Sequence, residues 1–208
     1  MHRLLTRFIN YYREHGLTQT VRRIIEQPSR ISKGYMLLIY AELKELDDAV
    51  LDLPRNIIIE CKKSYAETLE AQMEKLIDHS RKTNVTNRIK ERFEDGALLW
   101  IMKLNSDIAG YGWTTRKTMA AAFPLPITPH DAILFDFEIF GEYRGRGFYG
   151  LLVNYIFGQL KLMGTTRAFG LLSGWNSSVI RAIERTHFHK FREVRNFHVF
   201  RRNIIIWS

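Results

Sequence analysis

The chain has 208 residues, of which 46% are hydrophobic and 25% charged, with a formal net charge of +9. That length suits one domain, or one domain with a small appendage, and admits a sizeable core. No apolar run approaches the ~20 residues of a membrane span, and the amino terminus lacks the apolar stretch and small-residue cleavage site of a signal peptide. The charge favours anionic partners (nucleic acid, an acidic membrane surface or a phosphate-bearing ligand) without choosing among them, and the single cysteine, Cys61, excludes an internal disulfide and fits a reducing cytoplasm.

In chain order, residues 1–33 form a basic amphipathic extension. Leu4, Leu5, Phe8, Ile9 and Tyr12 recur at helical spacing, Gly16 interrupts, Val21, Ile24 and Ile25 resume the period, and Pro28 ends it. Seven basic residues oppose only Glu14 and Glu26 there. The default expectation is a helical hairpin on the main domain; contact with the anionic inner face of a membrane, or a dimer contact, are its alternatives.

From residue 34 to 208 strands and helices alternate. Strands are expected at Tyr35–Leu43 and Asn56–Cys61, with Cys61 as a small strand or core residue. A helix follows over Ser64–Arg81, opened by a capping box from Ser64 to Glu67, and another over Val85–Phe93. Ala97–Leu104 and Ile108–Thr115 flank Asn105-Ser106-Asp107 as a hairpin. Pro124, Pro126 and Pro129 mark a loop, then come a strand at Ala132–Phe140, a helix at Gly147–Met163, a strand at Arg167–Ser173 and a helix at Asn176–Thr186. Two strands, Lys190–Val194 and Phe197–Trp207, finish the chain. This order predicts a layered α/β domain.

The chemistry concentrates between Ala132 and Phe188. A glycine-rich turn, Gly141-Glu-Tyr-Arg-Gly-Arg-Gly147, joins an apolar strand to a helix. Backbone N–H groups without acceptors at the positive end of a helix dipole attract phosphate oxygens. Gly145 and Gly147 let the backbone approach such an anion, and Arg144 and Arg146 add charge. The Walker A pattern is absent. Gly145, Gly147 and Gly150 match the GxGxxG spacing, but late in the chain and without the βαβ context of a dinucleotide site.

Tyr143-Arg144-Gly145-Arg146-Gly147 resembles motif A of the GNAT N-acetyltransferase superfamily, Arg/Gln-x-x-Gly-x-Gly/Ala. Arg144 and Gly147 match, and Tyr149 departs at the last position. Asn176 to Phe188 is similar to motif B, Asn-x-x-Ser-x-Arg-Ala-x-x-Lys-x-Gly-Phe. Asn176, Arg181, Ala182 and Phe188 match, Arg185 replaces lysine, and Val179 and His187 replace serine and glycine. The resemblance covers roughly residues 95–208. It implies a mixed, mostly antiparallel twisted sheet with flanking helices, splayed near its middle, and acetyl-CoA as co-substrate. Backbone groups near Ile139 and Phe140 would hold the pantetheine arm, amides from Arg144 through Phe148 to Tyr149 the pyrophosphate, and Asn176 the cofactor arm.

Direct transfer to an amine needs a base for the ammonium and often an acid for the leaving thiolate. The superfamily's usual motif-B tyrosine would fall at Ile183, which cannot serve, so Tyr149 and Tyr143 are the substitutes. Alternation on the strand puts Asp136 and Glu138 on one face and Phe135, Phe137 and Ile139 on the other. Both carboxylates are candidate bases, with Glu138 nearer the cofactor; pairing with an arginine is the bland alternative. His187, His189 and His198 have no metal-ligand spacing, so no metal is expected. The expected activity is acetyl transfer to a small-molecule primary amine, with an amino sugar of surface-polysaccharide synthesis as the favoured acceptor. A regulatory or binding protein of this fold without catalysis is the alternative. A nucleic-acid module is less favoured, because the aromatic residues cluster in apolar strands.

Overall fold

The computed structural model describes residues 35–46, 53–79, 85–116, 127–174, 176–199 and 202–207. The helical extension expected over residues 1–33, and most of the proline loop, lie outside them. The strands are β1 (Tyr35–Glu42), β2 (Ile57–Lys62), β3 (Leu98–Leu104), β4 (Asp107–Thr115), β5 (Asp131–Ile139), β6 (Arg167–Ser173), β7 (His189–Val199) and β8 (Arg202–Trp207). The helices are α1 (Glu70–His79), α2 (Val85–Glu94), α3 (Phe148–Leu162) and α4 (Ser177–Ile183).

All eight strands join one sheet in the order β2-β3-β4-β5-β6-β1-β7-β8. Every neighbouring pair is antiparallel except β5 and β6. Helices cover both faces, which is why β3 reads as an apolar run from Leu98 to Met102. Its Trp100 and Met102 face the side covered by Leu152, Ile156 and Phe157 of α3. Its Leu99 and Ile101 face Met73 and Leu76 of α1 and Ile89 and Phe93 of α2. The buried indole of Trp100 donates to Thr114 Oγ1 at 2.9 Å, so its one polar atom is satisfied. The β3–β4 hairpin turns where expected: Leu104 pairs with Asp107, and Asn105 takes a left-handed φ of 57° that asparagine tolerates.

Strand β1 is inserted between β6 and β7 and pairs antiparallel with both, burying Leu37, Leu38 and Ile39. The two halves of the chain are therefore interleaved in the sheet, since residues from one end separate strands from the other.

Two expected boundaries move. The helix expected from Ser64 starts at Glu70, after a 3-10 turn over Tyr65–Glu67 and an extended Thr68. Ser64 makes no side-chain cap; the Glu67 carboxylate accepts from Lys63 N–H at 2.9 Å instead. The capping geometry falls five residues later, where Gln72 Oε1 accepts from Leu69 N–H at 3.2 Å. Buried Gln72 also donates to Glu60 Oε2 on β2 at 3.0 Å, so a tertiary contact decides where the helix begins. At the other end, β7 runs without a break through Arg195 and Asn196, because residues Val194–Val199 pair with Arg202–Trp207.

Glu60 anchors this side of β2. It binds Lys103 and, at 3.0 Å, Lys62, as well as Gln72. Partial burial opposes its charge, but the hydrogen bonds from Lys103, Lys62 and Gln72 overcome that and hold its pKa down to about 2. Beside it, burial pushes the Cys61 thiol up to about 11, which keeps it protonated as a packing group. A carboxylate depressed on folding stabilises fully above its unfolded pKa of 4.5 and loses that contribution as pH falls toward 2. Urea unfolding between pH 6 and pH 2 is expected to show this loss, and Glu60→Gln should be less stable near neutrality yet flatter across that window.

Candidate functional site

The site is built on β5, and two features of that strand shape it. Its start is locked to β6. Fully buried Asp131 accepts from Arg167 Nε at 2.8 Å and Nη2 at 2.9 Å, and from the Thr128 N–H and hydroxyl at 2.8 Å each. Burial opposes this charge, but Arg167 and Thr128 more than compensate and lower the Asp131 pKa. The parallel ladder then runs only from Asp131 opposite Arg167 to Leu134 opposite Gly170. Beyond it β5 continues to Ile139 beside β4, and β6 to Ser173 beside β1, without pairing each other. The sheet is splayed there, as the sequence resemblance implies.

The second feature is a β-bulge. Tyr111 pairs with Glu138 and Trp113 with Phe135, so β5 spends three steps where β4 spends two. The extra residue is Asp136, at a left-handed φ of 51°. This corrects the alternation expected for Phe135, which shares the α2 face with Asp136 while Phe137 and Ile139 face α3. Phe135 stacks on Trp113 at 6.3 Å on the α2 side, whereas Phe137 meets Tyr149 of α3 at 6.0 Å on the opposite side. Gly112 gives Phe137 its space, since a Cβ there would lie 2.5 Å from the ring.

The two candidate bases stay on the Tyr111 and α2 side of the sheet, as expected, but have different partners. Asp136 is bound by Arg92 Nη2 at 2.7 Å, and that guanidinium lies 5.0 Å from the Trp113 ring centre and 5.1 Å from that of Phe135. Glu138 instead borders a cleft. Its Oε2 accepts from the Tyr111 hydroxyl at 3.4 Å, and its Oε1 lies 3.5 Å from Arg144 Nη2. Burial, with Asp136 and Glu138 nearby, raises the Tyr111 pKa and keeps that hydroxyl a donor.

After Ile139 the chain makes a 3-10 turn over Gly141–Tyr143 and enters α3 through Gly145 and Gly147, at φ 78° and 79°. A Cβ at either would meet nothing within 4 Å, so backbone conformation rather than space calls for glycine. Gly147 is the N-cap, and the first helical bond runs from Leu151 N–H to the Gly147 carbonyl at 3.2 Å. The N–H groups of the preceding turn have no acceptor within the helix. Arg144 Nε donates back to the Ile139 carbonyl at 2.8 Å.

The facing wall is α4. Asn176 caps it, with Oδ1 accepting from Val179 N–H at 3.3 Å. Ser178, Arg181, Ala182 and Arg185 recur at helical spacing and line the same cleft, whereas Ile183 points into the core. The cleft measures about 750 Å³. It brings together Glu138, Ile139, Arg144, Gly145, Gly147, Phe148, Tyr149 and Asn176 of the residues expected from sequence. Asp136, Phe140 and Arg146 are outside its lining. Phe140 is fully buried on the other face against Tyr111, and Arg146 lies over the Tyr143 ring. Sequence reasoning did not single out Arg181 and Arg185 as cleft residues, although their spacing from Ser178 carried the signal. Tyr111 and Arg92 had no such signal, because only the bulge and the register bring them to Glu138 and Asp136. Three arginines against one carboxylate make the cleft a site for an anion, and the glycine turn suits phosphates. Burial raises the Tyr149 pKa, so a protonated phenol stands in the cleft wall.

The fold is that of the GNAT acetyltransferases. A GNAT-family protein from Novosphingobium aromaticivorans superposes with a TM-score of 0.52 at 15% identity over 77% of this chain and 61% of its own. A GCN5-related N-acetyltransferase from Sphaerobacter thermophilus gives 0.54 at 14% identity over 86% of this chain and 55% of its own. A GCN5-related glucosamine N-acetyltransferase region of a fungal multi-domain β-N-acetylglucosaminidase gives 0.53 at 12% identity, over 84% of this chain and 22% of the fungal one. The chain thus spans less than two thirds of the length of each. No protein-family model matches the sequence, nor does any curated protein. Among the described residues no helix is long and apolar enough to cross a membrane, and no group of three or more His, Cys, Asp or Glu is placed to hold a metal ion.

Gly112→Ala should force Phe137 out of its place and destabilise the fold by about 1–3 kcal/mol. Gly141→Ala, where a Cβ meets nothing within 4 Å, should stay within about 0.5 kcal/mol of the parent in the same urea titration.

Proposed function

We propose that this chain is an acyl-CoA-dependent N-acetyltransferase that uses acetyl-CoA and a primary amine. The observation that carries this reading is the opening of the Gly145–Gly147 turn, at positive φ, onto an arginine-lined cleft beside the unpaired half of β5. The residues fit the donor. Phosphates suit the amides at the start of α3 with Arg144, Arg181 and Arg185 around them, and an amide-bearing arm suits the strand edge left by the splay. Acetyl-CoA supplies an activated acetyl thioester.

The chain's own residues supply position and proton handling. Glu138 takes the proton of the acceptor ammonium, with Tyr111 fixing the carboxylate by its hydrogen bond. Tyr149 keeps its proton at the cleft wall and serves as the acid in place of Ile183. Asp136 is engaged by Arg92, and that pairing holds α2 to β5. The net charge of +9 favours an acceptor that bears phosphate, such as a nucleotide-linked amino sugar. A fungal relative in fold is a glucosamine N-acetyltransferase, which supports an amino sugar as the acceptor class.

The second reading is a protein of this fold that binds the donor without turnover, and buried Ile183 at the usual position of the acid favours it. Calorimetric titration with acetyl-CoA tests the donor. The parent should bind saturably, and Gly147→Glu, which adds a carboxylate at a strained φ of 79°, should abolish binding. A folded parent that binds none overturns the reading. Against a panel of amines, Glu138→Gln should lower kcat by about 10²- to 10⁴-fold without weakening donor binding. Donor binding with no acetylation of any amine favours the second reading.

A further inference from the structure

Arg144 is engaged at both of the places that a donor and an acceptor would use. Its Nε holds the carbonyl of Ile139, at the end of the strand edge that β6 leaves unpaired, at 2.8 Å. Its Nη2 lies 3.5 Å from Glu138 Oε1. The same side chain is 64% exposed, lines the cleft, and stands three residues before the N-cap of α3. A guanidinium has five N–H donors in a rigid plane, two of them engaged here, so turning that plane toward a phosphate withdraws it from the carbonyl and the carboxylate. A phosphate with two charges at a helix start outcompetes a single partly solvated carboxylate. An exposed pair such as Arg144–Glu138 is weak enough to be given up on binding.

We propose that Arg144 is a positioning residue that couples donor binding to release of the base: it masks Glu138 and the Ile139 carbonyl until a phosphate draws it away. This rests on the reading of the cleft as an acyl-CoA site. With Arg144 withdrawn, Glu138 keeps the Tyr111 hydroxyl as its hydrogen-bond partner among the described residues and faces the cleft as an acceptor for the amine's proton. The carbonyl of Ile139 is freed in the same movement to accept from an amide of the donor's arm. The base is thus presented only when an acyl donor is in place, which makes donor-first binding the expected order.

Titration of the full-length protein with coenzyme A by calorimetry tests the coupling without any need for the acceptor. Removing the competitor with Glu138→Gln should tighten coenzyme A binding by about two- to fivefold, the range expected of an exposed ion pair. The gain should vanish when Glu138→Gln is made in an Arg144→Met background, because the coupling runs through that guanidinium. Glu142→Gln, which removes an exposed carboxylate from the same turn, should change affinity far less than Glu138→Gln. The proposal is overturned if Glu138→Gln binds no tighter than the parent, or if its gain persists undiminished without Arg144 or is matched by Glu142→Gln, either of which marks simple charge repulsion. A folded parent that binds no coenzyme A overturns the donor reading itself, and the coupling falls with it.

Discussion

The separation of β5 from β6 after Leu134 is the constraint on which the rest of the molecule depends. A strand inside a sheet normally satisfies its backbone along both edges. Here β5 does so along its whole β4 side but along only four residues of its β6 side. The Asp131–Arg167 pair pins the two strands at one end, and the bulge at Asp136 bends β5 away at the other. The result is a wedge with a backbone edge inside it, closed by α3 on one flank and α4 on the other. The same bulge sends Phe137 toward α3 and Phe135 toward α2, so one inserted residue sets both the opening and the packing of its two walls.

Two carboxylates two residues apart on one side of the sheet have different partners. Asp136 is tied to Arg92 across two aromatic rings and becomes part of the contact between α2 and the sheet. Glu138 meets a tyrosine hydroxyl and an exposed arginine, partners that leave it able to exchange. Strong pairing and freedom to exchange are opposed demands on one group, and here they fall on two neighbouring carboxylates.

How much of this is legible in the sequence follows from how local each feature is. The glycine turn, the β3–β4 hairpin and the strand-to-helix order around Gly147 are written in short segments, and the structure has them where the residues place them. The helix start at Glu70 is not local. Ser64 and Glu67 have the spacing of a cap, but Gln72 reaches both Leu69 N–H and Glu60 on another strand, and that pair of contacts wins. The bulge is invisible to a period-of-two reading, because nothing in the string Leu-Phe-Asp-Phe-Glu says which residue is extra. The insertion of β1 between β6 and β7 is likewise a property of the whole sheet. Arg181 sits on a readable helix face and Arg185 in the turn just after it; what was hidden was that both border the same opening as Gly147.

In the proposed reading the acid is Tyr149 rather than Ile183, and the packing around the two positions differs accordingly. Ile183 is sealed in the core, in the same apolar cluster as Phe157 and Phe188, whose rings meet edge to face at 4.7 Å, so a hydroxyl there would be buried among apolar groups. Tyr149 lies on the first turn of α3, across from Phe137 and open to the cleft. Two forces act on its phenol in opposite senses. Burial disfavours the phenolate, and the positive end of the helix favours it by about 0.3–1 kcal/mol. Burial dominates and the pKa is raised, so the hydroxyl holds its proton at neutral pH. The helix end lowers the cost of the phenolate once that proton is given away. The first turn of α3 therefore presents a protonated hydroxyl to the cleft, which the core position cannot.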